Sequence, residues 1–330
     1  LNNVLQSVGI LGTGSYLPEK EITNFDLEKM VDTSNDWIVS RTGIHTRRIA
    51  DDSTATSDLA TMAARKALEM ANIKPEDLDL IIVATVTPDM AFPSTACIVQ
   101  SNLGAANAAA FDLEAGCSGF LYGMTVGKQF IATGVYKYVL VIGAETLSKI
   151  MDWNDRNTCV LFGDGAGAVV LGPVEEGRGI LSTYLGADGE KGKFLTQPAG
   201  GSRMPASIET VKQNLHYIKM DGSEVFKFAV RIMGDASKEA LKLCNLNVED
   251  VDYLVPHQAN IRIILSAAKR LKLSMDKVYV NLDKYGNMSA ASIPVALDEA
   301  VKQNKIREND IVVLVGFGAG LTWGSCVVKW

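Results

Sequence analysis

Three residues in this chain have the types and settings for nucleophilic chemistry on a carbonyl. Cys117 lies in Ala115-Gly116-Cys117-Ser118-Gly119-Phe120, His257 in Pro256-His257-Gln258-Ala259-Asn260, and Asn287 in Gly286-Asn287-Met288-Ser289-Ala290-Ala291-Ser292. A thiolate attacks thioesters and carbonyls. A neutral His and an Asn amide aimed at one point supply hydrogen-bond donors for a developing oxyanion or enolate. Each residue alone has a plainer reading. Cys117 suits a small hydrophobe at a strand end, His257 a satisfied core histidine, and Asn287 an ordinary turn residue after Gly286. The chemical reading rests on the three together.

The elements around them fit that reading. Ala108 to Leu113 reads as a buried strand, and Leu121 to Ala132 as a helix, so Cys117 sits where a strand turns into a helix. Free helix N–H groups and the positive end of the macrodipole favour a thiolate there. Tyr253 to Val255 reads as a strand ending at His257, and Val278 to Leu282 as a strand ending before Asn287. Ala63, Ala67, Leu68, Asn72, Glu76, Asp77 and Asp79 recur as Ala236, Ala240, Leu241, Asn245, Glu249, Asp250 and Asp252 at one constant offset. A shared offset through helix, acidic turn and strand indicates an internally duplicated α/β unit, longer than solenoid periods. Residues 1–172 form the half that carries the Cys, and 173–330 the half that carries the His and Asn. Alternating strands and helices imply mostly parallel sheets with helices between and around them. Ligand groups gather beyond the carboxyl ends of such strands. Gly163-Asp164-Gly165-Ala166-Gly167-Ala168 lacks the GK[ST] ending of a phosphate loop and reads as a tight turn between layers, its glycines allowing close packing.

Composition narrows the classes. With 47% hydrophobic and 21% charged residues, the 330-residue chain reads as well-buried and globular. A net charge of -6 gives no global electrostatic support for nucleic-acid or membrane-surface binding. Five cysteines, odd in number and without a CxxC pair, argue against a disulfide framework or structural zinc and fit a reducing cytoplasm. No apolar stretch reaches membrane-spanning length, and Leu1 to Leu17 alternates like a strand rather than following a signal pattern.

AGCSGF, PHQAN and GNMSAAS, in that order, resemble the three active-site motifs of β-ketoacyl-acyl-carrier-protein synthase III. The resemblance runs from Gly9 to Trp330 and includes DTSNDWIVSRTGI, LFGDGAGA and GFGAGLTWG. It implies a thiolate-forming Cys117 that accepts an acyl group from an acyl-CoA primer. His257 and Asn287 then hold a malonyl-acyl-carrier-protein thioester through decarboxylation and condensation to a 3-ketoacyl-carrier protein. It implies a thiolase-like, duplicated five-layer αβαβα fold, a homodimer, and no metal or bound cofactor, acyl-CoA being a substrate. The backbone N–H of Cys117 and one from Gly318-Ala319-Gly320 would form the oxyanion hole. Met288 stands where a small polar residue is common, a departure that removes no donor.

The resemblance further assigns Thr33, Trp37, Arg41, Arg156, Gly222 and Asn260 to CoA binding, with Trp37 and Arg156 sandwiching the adenine. An aromatic and a guanidinium suit a purine, and Arg suits phosphate; the plainer readings are core packing for Trp37 and surface ion pairs for the arginines. Phe92 and Phe317 fall to the acyl pocket, Phe92 reaching into the other subunit. A helix over Ile261 to Leu271 places Arg262, Lys269 and Arg270 on or near one face, with Ile261, Ile264, Leu265 and Ala268 on another. With Lys227, these cations suit docking of an acidic carrier protein, although exposed basic faces are usually just solvated.

Three rivals stand beside this expectation. A papain-like hydrolase shares the Cys, His, Asn order but not the local context of its cysteine. An acyltransferase of secondary metabolism would use the same triad. A non-catalytic interaction protein on the same fold would have no need of an intact Cys/His/Asn set.

Overall fold

The computed structural model describes residues 5–330; Leu1 to Val4 of the expected first strand lie outside them. Two mixed sheets carry the site. The first is built from β1 (Val8–Tyr16), β2 (Leu80–Ala84), β3 (Ala109–Leu113), β4 (Val139–Thr146) and β5 (Asp164–Pro173), in the order β1-β5-β4-β2-β3. Its β4-β2 and β2-β3 pairs are parallel, and β1-β5 and β5-β4 antiparallel. The second is built from β6 (Gly179–Ala187), β7 (Tyr253–Pro256), β8 (Ile311–Gly318) and β9 (Thr322–Lys329), in the order β7-β8-β9-β6. Here only β7-β8 is parallel. The antiparallel pairs arise because β5 and β9 each close their half as a return strand rather than through a helical crossover.

Seven helices layer around these sheets: α1 (Asn35–Thr42), α2 (Thr56–Ala71), α3 (Thr95–Leu103), α4 (Gly119–Ala132), α5 (Gly222–Leu243), α6 (Ile261–Arg270) and α7 (Ser292–Lys302). Helices α2 and α3 cover the outer face of the first sheet, and α5, with α6 packed on it, the outer face of the second. Helices α4 and α7 lie between the sheets and touch both. The order is therefore helix, sheet, helix, sheet, helix. The middle layer is apolar nearly all round, as its position demands: Phe120, Leu121, Met124 and Ile131 of α4 meet Ile293, Ala296, Leu297 and Ala300 of α7 in one buried cluster.

The repeat offset extends further than sequence similarity shows. The offset that relates Ala63 to Ala236 also carries the turn Gly116–Ser118 onto Ser289–Ala291, and Gly119 at the start of α4 onto Ser292 at the start of α7. The cysteine loop and the asparagine loop are thus structural counterparts.

Several expectations need correction. The expected strand Val278 to Leu282 reduces to one bridge, Val278 with Leu254, before the short helix Leu282–Tyr285. The Gly163 to Ala168 run is not a turn; from Asp164 it is the start of β5. Close packing does explain its glycines, since a Cβ on Gly167 would lie 2.6 Å from the Val295 nitrogen of α7. Strand β3 is not buried: it is an edge strand, with Ala109 exposed and the rest half-buried. In α6 the buried face is Ile263, Ile264, Ala267 and Ala268, while Leu265 is 46% exposed. That face is rotated by about one position from the expected one, because α6 packs against both α5 and the second sheet.

Candidate active site

Cys117, His257 and Asn287 line one cavity of about 740 Å³. Each reaches it from a different element. Cys117 sits in the 3-10 turn Gly116–Ser118 between β3 and α4. His257 follows β7 directly, its backbone N–H donating to the Val315 carbonyl of β8 at 2.8 Å. Asn287 is held by its own backbone, with its N–H to Leu161 O at 2.8 Å and its carbonyl accepting from Gly163 N at 3.0 Å.

The Asn287 side chain is oriented as well. Its Oδ1 accepts the Ser289 backbone N–H at 2.8 Å. With the oxygen occupied, the amide nitrogen is the end left to donate into the cavity. Gln258, fully buried beside His257, fixes the two loops relative to one another. Its Nε2 donates to Pro256 O at 2.8 Å and Tyr279 O at 3.1 Å, and its Oε1 accepts the N–H groups of Asn281 at 3.0 Å and Leu282 at 3.2 Å. The motif identifies this residue only as a polar neighbour; its use of every hydrogen-bonding site is a property of the fold.

Burial sets the protonation states. His257 is buried, and desolvation alone pulls its imidazole down to about 3, so the ring is neutral at physiological pH. Its Nδ1 has no partner among the described residues, and its ring meets Phe317 edge-on at 5.7 Å between centroids. Burial pushes the Cys117 thiol up to about 12, with the nearby Ser289 hydroxyl opposing the rise and the charges of Glu145 and Glu114 adding to it. Against the expectation of a thiolate at this position, desolvation is the largest effect on the sulfur.

Cys117 also lines a second cavity of about 540 Å³, walled by Val86, Met90, Leu147, Ile150, Phe162 and Ile218 among others. Cys117, Phe162 and Leu195 belong to both walls, so the sulfur sits where two compartments meet. Phe317 borders the first compartment, not the second, because it packs on His257. Phe92 borders neither and is 84% exposed, which excludes core filling.

Trp37, Arg41, Gly222 and Asn260 line the first cavity. Helix α1 presents Trp37 and Arg41 because Ser34 caps it, accepting the Trp37 N–H at 3.1 Å, and Gly43 ends it at φ 82°. Arg41 and Arg156 stand over the Trp37 ring at 4.6 and 5.2 Å from its centroid. A purine between Trp37 and Arg156 needs about 7 Å, two contact distances, so it has to displace Arg156. Arg156 itself is tied to Asp32, donating to its carbonyl at 2.7 Å. Thr33 lies off the cavity wall, its hydroxyl buried without a partner. Asn260 has structural work of its own: it caps α6 through the Arg262 N–H at 2.9 Å and donates to Arg41 O at 2.9 Å. Lys193 and Lys219 also line the cavity. Nothing in the sequence singles them out, since they lie in the 3-10 helix Gly189–Phe194 and in a two-residue strand.

Arg262, Lys269, Arg270 and Lys227 are exposed on the packed pair α5 and α6, beside Ser223, Phe226 and Asn260 at the cavity. Lys227 pairs with Glu224 at 2.6 Å and Arg270 with Asp235 at 3.4 Å. Arg262 lies over the Phe226 ring at 5.2 Å, and Lys269 makes no ion pair among the described residues. All five cysteines are free. Among the described residues no helix is long and apolar enough to cross a membrane.

A buried thiol, a neutral imidazole and an oriented amide, at the junction of two cavities in a five-layer fold, mark a thiolase-like condensing acyltransferase. The family model described as 3-oxoacyl-[acyl-carrier-protein] synthase III matches residues 111–189, and that of its C-terminal part residues 241–330. The beta-ketoacyl-[acyl-carrier-protein] synthase III of Caldanaerobacter subterraneus subsp. tengcongensis is 69% identical, over 98% of both chains. That of Natranaerobius thermophilus is 64% identical, over 99% of this chain and 100% of its own. The crystal structure of 3-oxoacyl-[acyl-carrier-protein] synthase III from Aquifex aeolicus VF5 superposes with a TM-score of 0.91 at 48% identity, covering 98% of this chain and 100% of that one. The chain belongs to the β-ketoacyl-acyl-carrier-protein synthase III family.

The depressed imidazole has a measurable consequence. Between the ordinary His pKa of 6.5 and the folded value of about 3, the unfolded state holds a proton that the folded state lacks. His257 therefore costs stability as pH falls through that window. Denaturant unfolding from pH 7 to 4 should show the protein losing on the order of 2–3 kcal/mol more than its His257→Asn variant. Parallel profiles would mean that the ring is protonated in the folded state.

Proposed function

We propose that Cys117, His257 and Asn287 carry out priming and condensation in two half-reactions. In the first, the Cys117 sulfur bonds to the carbonyl carbon of an acyl-CoA, the carbon–sulfur bond to CoA breaks, and the thiol proton leaves on the CoA sulfur. In the second, malonyl-acyl-carrier protein loses carbon dioxide, and the electron pair moves into its thioester carbonyl as an enolate. His257 and Asn287 donate to that oxygen. The enolate carbon then bonds to the acyl carbon, the bond to Cys117 breaks, and one proton from solvent restores the thiol. The product is a 3-ketoacyl-carrier protein. The chemistry as proposed uses no cofactor.

One observation carries the reading: a neutral imidazole and an amide with its oxygen already occupied share a cavity with the thiol. Both present donors and neither carries a charge, which suits stabilisation of an anion that exists only during the reaction. The backbone N–H groups of Cys117 and the Gly318 to Gly320 turn complete the set as the oxyanion hole for acyl transfer. We assign the cavity lined by Trp37, Arg41, Gly222 and Asn260 to CoA, with Thr33 and Arg156 at its edge. The second cavity takes the acyl chain. The basic face of Lys227, Arg262, Lys269 and Arg270 docks the acidic carrier protein. A homodimer accounts for the exposed edge strand β3 and for Phe92, whose ring then enters the partner's acyl cavity. Residues 1–172 and 173–330 are read as the two halves of a duplication, and the site of action as the cytoplasm. The 69% identity to a synthase III favours fatty-acid initiation over secondary metabolism.

The two half-reactions separate the roles. Asn287→Ala should slow malonyl-carrier-protein decarboxylation by about 10²–10³ while changing acylation of Cys117 less than tenfold. Equal loss in both assays would make Asn287 structural. In the same assays Arg262→Glu should raise KM for malonyl-carrier protein about tenfold and spare loading from acyl-CoA. Equal damage to both would remove α6 as the docking face.

A further inference from the structure

Two buried polar groups beside Cys117 have no part in the reaction just described. Ser289 is 3% exposed, held at φ 46° in the left-handed region, and its Oγ has no hydrogen-bond partner among the described residues. Its backbone N–H orients Asn287, so the hydroxyl is not needed for that task. Glu145, at the end of β4, is fully buried without a cation. It accepts from Thr87 Oγ1 at 2.6 Å, from Thr85 Oγ1 at 3.2 Å and from Val86 N at 3.1 Å. A buried hydroxyl without a partner and a buried carboxyl without a counter-ion are both costly. The turn Ser289–Ala291 packs on both β4 and the turn Gly116–Ser118. Ser289 and Cys117 share the wall of the second cavity, and Thr85 and Val86, which hold the Glu145 carboxyl, line that same wall. The hydroxyl favours the charged forms of both the thiol and the carboxyl.

We propose that Ser289 and Glu145 act as an opposed pair that sets the reactivity of Cys117, the hydroxyl donating to the sulfur as it becomes a thiolate and the carboxylate repelling that charge. The hydroxyl has no partner among the described residues in the resting state, and a thiol is a poor acceptor. A thiolate is a strong one, since a hydrogen bond to an ion is roughly twice as strong as a neutral one. The left-handed backbone at Ser289 is the kind of strain that persists where surrounding structure holds a functional group in place. Glu145 works through space, where low dielectric amplifies a like charge. Burial lifts its carboxyl to about 7, so its charge changes near neutral pH.

The other groups facing the sulfur are few. Glu114 comes from its own loop, with Asp112 of β3 further along the second cavity, and His257 from β7 is neutral. Arg41, Lys193 and Lys219 line the first cavity. Of these only Glu114 registers on the thiol, more weakly than Glu145. The pair therefore sets two opposed terms on the same sulfur. An empty site keeps Cys117 as an unreactive thiol, and protonating Glu145 or ordering the Ser289 hydroxyl releases it.

Alkylation of the full-length protein by iodoacetamide tests this without any acyl donor, so it can fail independently of the proposed reaction. Peptide mass spectrometry follows the Cys117 adduct between pH 6 and 9. Ser289→Ala keeps the Cβ, so the backbone strain is unchanged and only an oxygen is lost; it should slow alkylation at pH 8 about tenfold, one pKa unit. Glu145→Gln should accelerate it about tenfold, and the double variant should return near the parent rate. Opposite signs are what a merely structural role does not give, since loosening the site would speed alkylation in both. An unchanged or faster rate in Ser289→Ala overturns the pair, as does a slower rate in folded Glu145→Gln. Should Glu145→Gln not fold, Ser289→Ala decides alone.

Discussion

The site depends on one steric constraint: backbone from the two halves of the chain meets without room for a side chain. A Cβ on Gly318 of β8 would lie 2.2 Å from the Cys117 nitrogen, and one on Gly143 of β4 would lie 2.1 Å from the Ala290 carbonyl oxygen. No side chain survives contacts that short, and the elements would have to move apart. The first contact presses the nucleophile turn onto the second sheet. The second presses the asparagine loop onto the first. Because the two loops are counterparts under the repeat offset, the same kind of contact is made twice, once in each direction. The packing of α4 against α7 between the sheets follows from it, and so does the convergence of Cys117, His257 and Asn287.

That closeness also determines the electrostatics. Drawing backbone together excludes water, and each titratable group at the seam responds by favouring its neutral form. The imidazole falls to about 3, the thiol rises to about 12 and the Glu145 carboxyl rises to about 7. In the proposed reaction this leaves His257 a neutral donor for the enolate, while for Cys117 it opposes the thiolate, an effect the Ser289 hydroxyl partly offsets.

The candidate site was legible in the sequence because its signals are local. Cys117 lies at a strand-to-helix turn, His257 at a strand end, and Asn287 in a Gly-Asn turn; each carries its signature within a few residues. The duplicated frame was legible through its constant offset. What was not legible depends on contacts distant in sequence. The Val278 to Leu282 segment has strand composition but makes only one bridge, because Gln258 takes the backbone N–H groups of Asn281 and Leu282. The glycines of the 163–168 run look like a turn, yet each is small for close packing, Gly163 against the Tyr285 carbonyl, Gly165 against Met288 and Leu17, and Gly167 against α7. Strand β3 reads as buried from its composition, but its position at the sheet edge is set by strand order. Phe317 borders the first cavity and packs on His257, a contact that nothing local in the sequence marks. Glu145 has no local signature, and Ser289, although within the asparagine motif, is not marked by it as a neighbour of the sulfur; both are placed around the Cys117 turn by the packing of the two halves.

The central claim is that Cys117 is the thiol that accepts an acyl group. Intact-protein and peptide mass spectrometry after mixing the full chain with acetyl-, isobutyryl- and longer acyl-CoAs tests it most directly. The account predicts one acyl adduct per chain, on Cys117, absent in Cys117→Ser. An adduct on Cys97, Cys159, Cys244 or Cys326, or no adduct with any of these thioesters, would contradict it.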